Sequence, residues 1–199
     1  RFGQIASQVL LSKGFTVSTI DTDTDMIRAA ATFGFRVYYG DGTRLDILRA
    51  AGAGNADAVL IAIDNREQAN RIAELLRDEF PLVKVMARAF DRAHAIELVK
   101  LGVDYQLREM LESALSFGAQ TLRVLGTEED EIAEIIAGVR ERDQQRFEAQ
   151  ILGGLQAGRE LLLSNAEEQA REGGVGGKAS TPVVVPPDGT GTPAASGSS

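Results

Sequence analysis

The 199-residue chain contains no cysteine and a single histidine. Without cysteine it can form no disulfide, thiolate nucleophile or cysteine-based zinc site, which is compatible with a reducing compartment. The histidine, His94, stands beside Asp91 near a predicted helix start, and we expect a solvated or capping side chain. The sequence contains no acid/base pair, Ser/His/Asp set or metal-ligand spacing, so it does not predict an enzyme.

Long apolar runs and excess positive charge are also lacking. The longest apolar stretch, Ala58 to Ile63, is far shorter than the roughly 20 residues that cross a bilayer, and no signal segment opens the chain. The net charge of −8 argues against nucleic acid as a partner. Since 44% of the residues are hydrophobic, we expect a soluble segment with one substantial domain and an appendage.

Up to Gly102 the chain alternates helix-period segments with short β-type runs. The predicted strands are 15–20, 35–39, 57–63 and 83–88, and the predicted helices are 4–13, 25–34, 44–51, one beginning at 64–65 and one ending near 102. Thr43 is the expected cap of the helix 44–51. Strands linked by helices form parallel sheets with right-handed crossovers, which predicts a Rossmann-like, doubly wound α/β domain.

The pattern changes after Gly102. Residues 108–125 predict one long helix, and a second helix begins with an acidic first turn after Gly126. Twelve acidic residues and five arginines lie between positions 127 and 172, which predicts an acidic helical extension. Residues 173–199 contain four of the five prolines and seven glycines, and we expect this tail to be disordered.

The first residues, Arg1-Phe2-Gly3-Gln4, resemble the second half of the G-x-G-x-x-G fingerprint of dinucleotide-binding folds. Gly3 would be its last glycine, at the start of a helix whose N–H groups and positive end suit a pyrophosphate. The alternative is that Gly3 is required only by the geometry of a strand-to-helix turn, without a ligand. The fingerprint further predicts a preceding strand and two glycines, and therefore that the sequence is a fragment, unstable alone.

Two carboxylates follow the second and third strands of this predicted order. Asp21 suits the ribose hydroxyls of an adenosine and would repel a 2′-phosphate, which favours NAD(H) or AMP over NADP(H). Asp41 could accept from an adenine amino group. The alternatives are a turn or cap residue for Asp21 and an ordinary Asp-Gly turn for Asp41.

Five segments carry a resemblance to a known family: Arg1–Gln4, Ile20-Asp21, Tyr39–Thr43, Ala62–Asp64 and Ala87–Asp91. In order and spacing they resemble the TrkA-N or RCK (KTN) regulatory domain of potassium transport systems. The opening Arg1–Gln4, Phe80-Pro81 and the sequence from 102 through 108–109 to 113–115 are similar to one subgroup, the C-terminal domain of Kef-type, glutathione-regulated potassium efflux antiporters. The resemblance implies a Rossmann-like domain over 1–104 and a crossover and dimerisation helix over 105–126. It does not cover most of the acidic extension over 127–172 or the tail over 173–199, which composition predicts.

The resemblance also implies a ligand site. Arg1 and Gly3 match the phosphate-binding turn, and Arg88 matches the arginine that closes the fifth strand. The full implied set is Arg1, Phe2, Gly3, Asp21, Thr22, Asp41, Gly42, Thr43, Asp64 and Arg88. The Arg88 guanidinium suits a phosphate or carboxylate, and an ion pair with Asp91 or Asp64 is the alternative.

The family further implies a regulatory domain that gates a potassium/proton antiporter in response to NAD(H) or AMP. It implies a homodimer through the helix 109–125, a membrane transport domain upstream in the same chain, and a place on the cytoplasmic face of the bacterial inner membrane. Glutathione is an additional implied ligand, although Asp143 stands where an uncharged amide is expected and would repel its carboxylate. The alternative functions are a peripheral subunit of a potassium uptake channel and the cofactor half of an NAD-dependent dehydrogenase. The alternative to a homodimer is that the helix 109–125 packs only on its own sheet.

Overall fold

The computed structural model describes residues 2–25, 27 and 36–154. Its helices are α1 (Phe2–Ser12), α2 (Leu45–Ala50), α3 (Arg66–Glu79), α4 (Arg92–Lys100), α5 (Glu109–Val124) and α6 (Glu129–Gly153), with a 3₁₀ turn at Ala53–Asn55. Its strands are β1 (Ser18–Asp21), β2 (Arg36–Tyr39), β3 (Ala58–Ile61), β4 (Lys84–Ala89) and β5 (Tyr105–Arg108). None of these helices is both long and apolar enough to span a membrane.

The strands pair in parallel throughout, in two sheets ordered β2-β1 and β3-β4-β5. Asp21 lies opposite Tyr39 in the first sheet, and Leu60 lies opposite Met86 in the second. A doubly wound fold has the strand order 3-2-1-4-5-6, and the two sheets correspond to its 3-2 and 4-5-6 portions. The predicted Rossmann-like class is confirmed, because each strand runs parallel to its neighbour and helices connect β2, β3, β4 and β5 in turn.

Polar caps and glycines determine where the helices begin and end. The Asn65 side chain accepts from the backbone N–H of Gln68 at 2.9 Å and caps α3. Asp91 caps α4 in the same way through the N–H of His94, at 2.9 Å. Gly14, with φ of +91°, follows α1 in the left-handed conformation that glycine adopts without strain. The end of α1 and the start of α3 therefore agree with the expected stop and start signals.

Two local predictions were wrong. Residues 105–108 form a fifth strand, β5, which extends the sheet beyond the expected last strand at 83–88. Thr43 does not cap α2: its hydroxyl donates to Asp41 Oδ1 at 2.8 Å, and Arg44 is the cap residue without a side-chain hydrogen bond. Pairing with β4 makes residues 105–108 a strand. The hydrogen bond to Asp41 occupies the Thr43 hydroxyl, which was expected to cap α2.

One hydrophobic core unites the sheet β3-β4-β5 with the helices around it. Leu76 of α3 and Leu98 of α4 are its largest fully buried side chains, and Ile20 of β1 packs against it. Phe147 of α6 is also part of this core, although it lies well beyond the last strand in sequence. The extension after Val124 therefore packs on the α/β domain, at least as far as Gly153.

Three expectations fall outside the described residues. They concern Arg1, most of the predicted helix 25–34, and the tail 173–199 together with the end of the extension.

Candidate functional site

The carboxylates predicted to bind a ribose and an adenine lie where the two strands of the smaller sheet end. Asp21 is the last residue of β1, and Asp41 comes two residues after β2. The two strand ends are joined, because the N–H of Gly40 donates to the carbonyl of Asp21 at 3.0 Å. Thr22 follows β1 and is exposed. The carboxyl ends of parallel strands are where doubly wound folds bind ligands, and both acids reach that position.

The turn after β2 holds Asp41 through Thr43. The backbone N–H and the hydroxyl of Thr43 both donate to Asp41 Oδ1, each at 2.8 Å. The two hydrogen bonds lower the pKa of Asp41, which stays ionised and keeps its other oxygen available as an acceptor. A Cβ on Gly42 would lie 3.3 Å from Ile72 Cδ1, so the turn sits close against α3. Asp41 is therefore both the turn residue of the alternative interpretation and a positioned acceptor.

The first turn of α1 packs against the end of β3. A Cβ added to Gly3 would lie 3.3 Å from Ala62 Cβ, closer than most real contacts of this kind. The glycine thus permits a close approach of helix and strand, as a fingerprint glycine does. Next to it, the Arg88 guanidinium lies 5.2 Å from the centre of the Phe2 ring, a cation–π contact that links α1 with β4.

Arg88 is the best-connected charged residue of this region. Its side chain is only 15% exposed, and it pairs with Asp64 at 2.6 Å and with Glu109. Burial opposes its charge, but the hydrogen bonds to Glu109 and Asp64 outweigh that effect and raise the pKa of Arg88. The predicted pair with Asp64 is confirmed, whereas Asp91 caps α4 instead. The other predicted role, binding of a ligand phosphate or carboxylate, stays a prediction.

A cavity of about 220 Å³ opens beside Arg88, at the ends of β3 and β4. Ile63, Asp64, Phe90 and His94 form the rest of its wall. His94 is 4% exposed, so the expected solvated side chain is wrong; Asp91 performs the capping. His94 lies four residues before the buried Leu98, and that helical spacing is the sequence signal that indicates its burial.

The described residues fit a nucleotide. A helix begins with a glycine pressed against a strand end, two carboxylates follow the neighbouring strands, and an arginine lies beside a small cavity. This set supplies acceptors for hydroxyls, a positive helix end for phosphate and a guanidinium for a second anion. The same ranges contain no group of His, Asp and Glu arranged to hold a metal ion. Side chains and backbone of the described residues thus offer contacts for the hydroxyls and the phosphate of a nucleotide.

A second charged cluster lies where α4, β5 and α6 meet. The Asp143 carboxylate, 5% exposed, pairs with Arg92, Arg108 and, at 3.2 Å, Arg146. The Arg108 guanidinium also lies 4.6 Å from the centre of the Phe147 ring. Three guanidinium groups thus share one buried carboxylate, which no local sequence pattern predicts.

The fold and these strand-end residues define a Rossmann-like α/β domain of the nucleotide-binding type. The chain belongs to the TrkA-N domain family, which matches residues 1–109, more than half of its length.

Named relatives extend the similarity beyond residue 109. A "Glutathione-regulated potassium-efflux system protein" of Haemophilus influenzae is 43% identical over 154 residues, 77% of this chain and 25% of the relative. The KefC protein of the same name in Salmonella arizonae is 44% identical over 126 residues, 63% of this chain and 20% of the relative. The chain thus spans a quarter or less of the length of the curated relatives it matches.

A solved structure described as the Shewanella denitrificans Kef CTD in AMP bound form superposes with a TM-score of 0.68 at 32% identity. The match covers 76% of this chain and 92% of that one. The resemblance to Kef-type potassium efflux proteins is confirmed.

Proposed function

We propose that this domain binds NAD(H) or AMP at the carboxyl ends of β1 to β4 and acts as a regulatory module. The observation that carries the proposal is the meeting of Phe2, Gly3, Asp64 and Arg88 at the carboxyl ends of β3 and β4, while Asp21 and Asp41 stand at the carboxyl ends of β1 and β2. The similar Kef domain is described with AMP bound, which supports an adenine nucleotide as the ligand class. The α1 N-terminus takes the phosphate, and Asp21 and Asp41 take the ribose and adenine.

The ion pair of Arg88 provides a route from the site to α5. Glu109, the first residue of α5, accepts from Arg88 Nε, and the N–H of Met110 donates to the carbonyl of Phe90 at 3.4 Å. A ligand anion that competes with Glu109 for Arg88 would change how the start of α5 is held. A ligand shifts such an equilibrium only by its differential affinity for the two states, and a coupling of about 1–3 kcal/mol suffices for regulation.

The outer face of α5 is where we propose that a second copy of the chain binds. Met110, Phe117 and Val124 are spaced by seven residues, and they are 53%, 78% and 79% exposed. Residues seven apart lie on one side of a helix, so these side chains form an apolar stripe of the kind that pairs helices. A homodimer through α5 would bury the stripe and connect the two nucleotide sites through Glu109.

At the level of the whole protein, we propose regulation of potassium efflux by a potassium/proton antiporter at the cytoplasmic face of a bacterial inner membrane. The names of the relatives and the small share of their length that the chain covers support a transport domain elsewhere in the protein. A role as a peripheral subunit of an uptake channel would use the same site without a covalent membrane part. A dehydrogenase would turn over a hydroxy acid or alcohol with NAD, and we expect no turnover.

Isothermal titration calorimetry with AMP, NADH and NADPH tests the nucleotide site. We expect AMP and NADH to bind, NADPH to bind more weakly, and Asp21→Asn to reduce binding of AMP and NADH together by about tenfold. Asp57→Asn is the matched control, because this exposed carboxylate lies at the opposite, amino end of β3. Absence of AMP and NADH binding to the wild-type protein would end the proposal.

Sedimentation velocity tests the dimer. We expect Phe117→Glu to give monomers at concentrations where the wild type is dimeric, since a charge in the apolar stripe is unfavourable when buried. Leu82→Glu is the control, because Leu82 is 93% exposed in the α3–β4 connection. A monomeric wild-type protein, or a dimer unaffected by Phe117→Glu, would favour the alternative that α5 packs only on its own domain.

Glutathione stays a prediction on this chain. Asp143 already pairs with Arg92 and Arg108, so a glutathione carboxylate at these arginines would have to displace it. Titration of the same protein with glutathione, before and after saturation with AMP, measures both the binding and its coupling to the nucleotide.

A further inference from the structure

The cavity at the ends of β3 and β4 contains a buried polar group that the proposed nucleotide contacts do not use. His94 is 4% exposed and contributes to the cavity wall with Arg88 and Phe90. Its Nε2 atom is buried and has no hydrogen-bond partner in the described part of the chain. A buried polar atom without a hydrogen-bond partner is unfavourable, so such atoms usually pair with another group.

The chemical state of His94 suits a neutral ligand group. Burial is the main cause that lowers the pKa of its imidazole, and the nearby positive charge of Arg66 acts in the same direction. Glu97, Asp91 and Glu67 oppose the shift without reversing it. The imidazole is therefore neutral at pH 7, and its ring nitrogens can donate one hydrogen bond and accept another. An amide or a hydroxyl matches this capacity better than a phosphate does.

The cavity is large enough for one part of a ligand and too small for a whole one. Sites for whole drug-sized ligands occupy roughly 300–1,000 Å³, and this cavity measures about 220 Å³. It is large enough for one ring with its substituents.

The position of the cavity indicates which part that is. The acids proposed for the adenosine lie at the ends of β1 and β2, whereas the cavity lies at the ends of β3 and β4, next to the α1 N-terminus proposed for the phosphate. A mononucleotide held by Asp21 ends at the phosphate. A dinucleotide continues past it, toward Arg88 and His94.

We propose that His94 hydrogen-bonds the second nucleoside of a bound dinucleotide and thereby distinguishes NAD(H) from AMP. This inference rests on the proposed nucleotide site and adds a specificity-determining residue to it. Arg88 and Asp64 flank the same cavity, so the second nucleoside reaches the ion pairs that connect the site with α5. AMP, which ends at the phosphate, does not reach His94.

Calorimetry on His94→Leu and His94→Gln tests the assignment. For His94→Leu we expect a fivefold to tenfold loss of NADH affinity with AMP affinity unchanged, the size of one hydrogen bond. Glutamine offers a similarly placed donor and acceptor, and we expect His94→Gln to recover most of the loss. Equal losses for both nucleotides, or no loss for either, would overturn the role of His94. Wild-type protein that binds neither nucleotide would instead mean failure of the proposed function.

Nuclear magnetic resonance provides a second test. The imidazole signal of His94 would not respond differently to NADH and AMP if the residue had only a structural role. The chain has one histidine, so selective labelling yields one imidazole signal, assigned by its absence from His94→Leu. We expect saturating NADH to shift this signal and saturating AMP to leave it nearly unchanged. Identical shifts with the two ligands would contradict the proposal.

Discussion

Replacement of Asp143 by asparagine should destabilise the protein more than any exposed charge replacement. The carboxylate is 5% exposed, and its partners Arg92, Arg108 and Arg146 are 25%, 10% and 23% exposed. Removal of one partner from a buried ion pair costs about 3–5 kcal/mol. Because the three guanidinium groups retain some contact with water, we expect about 3 kcal/mol. At roughly 2–4 °C per kcal/mol for a protein of this size, the Tm should fall by about 6–12 °C.

Urea unfolding followed by circular dichroism measures this loss of stability. Asp46→Asn is the matched control, since Asp46 and its partner Arg44 are 64% and 65% exposed, and we expect little change there. An Asp143→Asn protein with the urea midpoint of the control would refute the reasoning. That result would mean that the arginines do not depend on the buried carboxylate and that α6 is held by its apolar contacts alone.

Two further predictions concern the helices that support the cavity. The hydrogen bond from Arg66 is the main cause that lowers the pKa of Glu97 to about 2, and the hydrogen bond from Asn70 acts in the same direction. Glu97 therefore stabilises the folded state above its unfolded pKa near 4.5. This contribution should disappear as the pH falls from about 4.5 to 2. Because Glu97 is 40% exposed, its contribution to the free energy of unfolding is about 1 kcal/mol. Glu97→Gln should therefore make the stability fall less steeply at acid pH. An unchanged fall would contradict this role of Glu97. Leu76→Ala should cost about 2–5 kcal/mol in urea unfolding, because Leu76 is fully buried between α3 and the sheet, whereas a cost below 1 kcal/mol would show that the core at α3 is not tightly packed.

Periodicity and caps predicted most of the fold. The run 57–63 indicated a buried strand, and β3 lies within it. Asn65 caps α3 at the predicted helix start, and α5 agrees with the predicted helix 108–125 to within one residue at either end. These elements are decided by local patterns, namely continuous apolar runs for covered strands and cap residues for helices.

The strand β5 could not be predicted, because its signal is not local. The strand Tyr105–Arg108 has only four residues, two of which, Gln106 and Arg108, are polar, and it leads directly into α5. What makes it a strand is its pairing with β4, in which Arg88 lies opposite Leu107. An edge strand this short is specified by its partner more than by its own propensity.

The residues at the strand ends were easier to predict than the buried polar contacts. Asp21 and Asp41 were chosen because they follow predicted strands and Arg88 because of the family resemblance, and all three lie at strand ends, although their binding of a ligand stays a prediction. The burial of His94 and the role of Glu109 were not predicted. A histidine or a glutamate at a helix start usually indicates an exposed face. Only the tertiary contacts reveal that the first is buried in a cavity wall and the second holds an arginine.

The Asp143 cluster is another set of buried polar contacts that the sequence did not predict. Its partners Arg92 and Arg108 stand 51 and 35 positions away in sequence, and the polar run 140–146 around it is typical of a solvated helix face. Phe147, one turn further along α6, is the apolar residue that marks the buried side.

The burial of Phe147 has a practical consequence for dissecting the protein. The TrkA-N match ends at residue 109, and a piece cut there or after α5 would include every described strand. Such a piece would nevertheless expose the core surface that Phe147 covers and leave Arg92 and Arg108 without their carboxylate. We expect it to aggregate, and a protein that continues through Gly153 to remain monodisperse. We therefore expect the smallest stable piece of this chain to include α6 as well as the residues of the TrkA-N match.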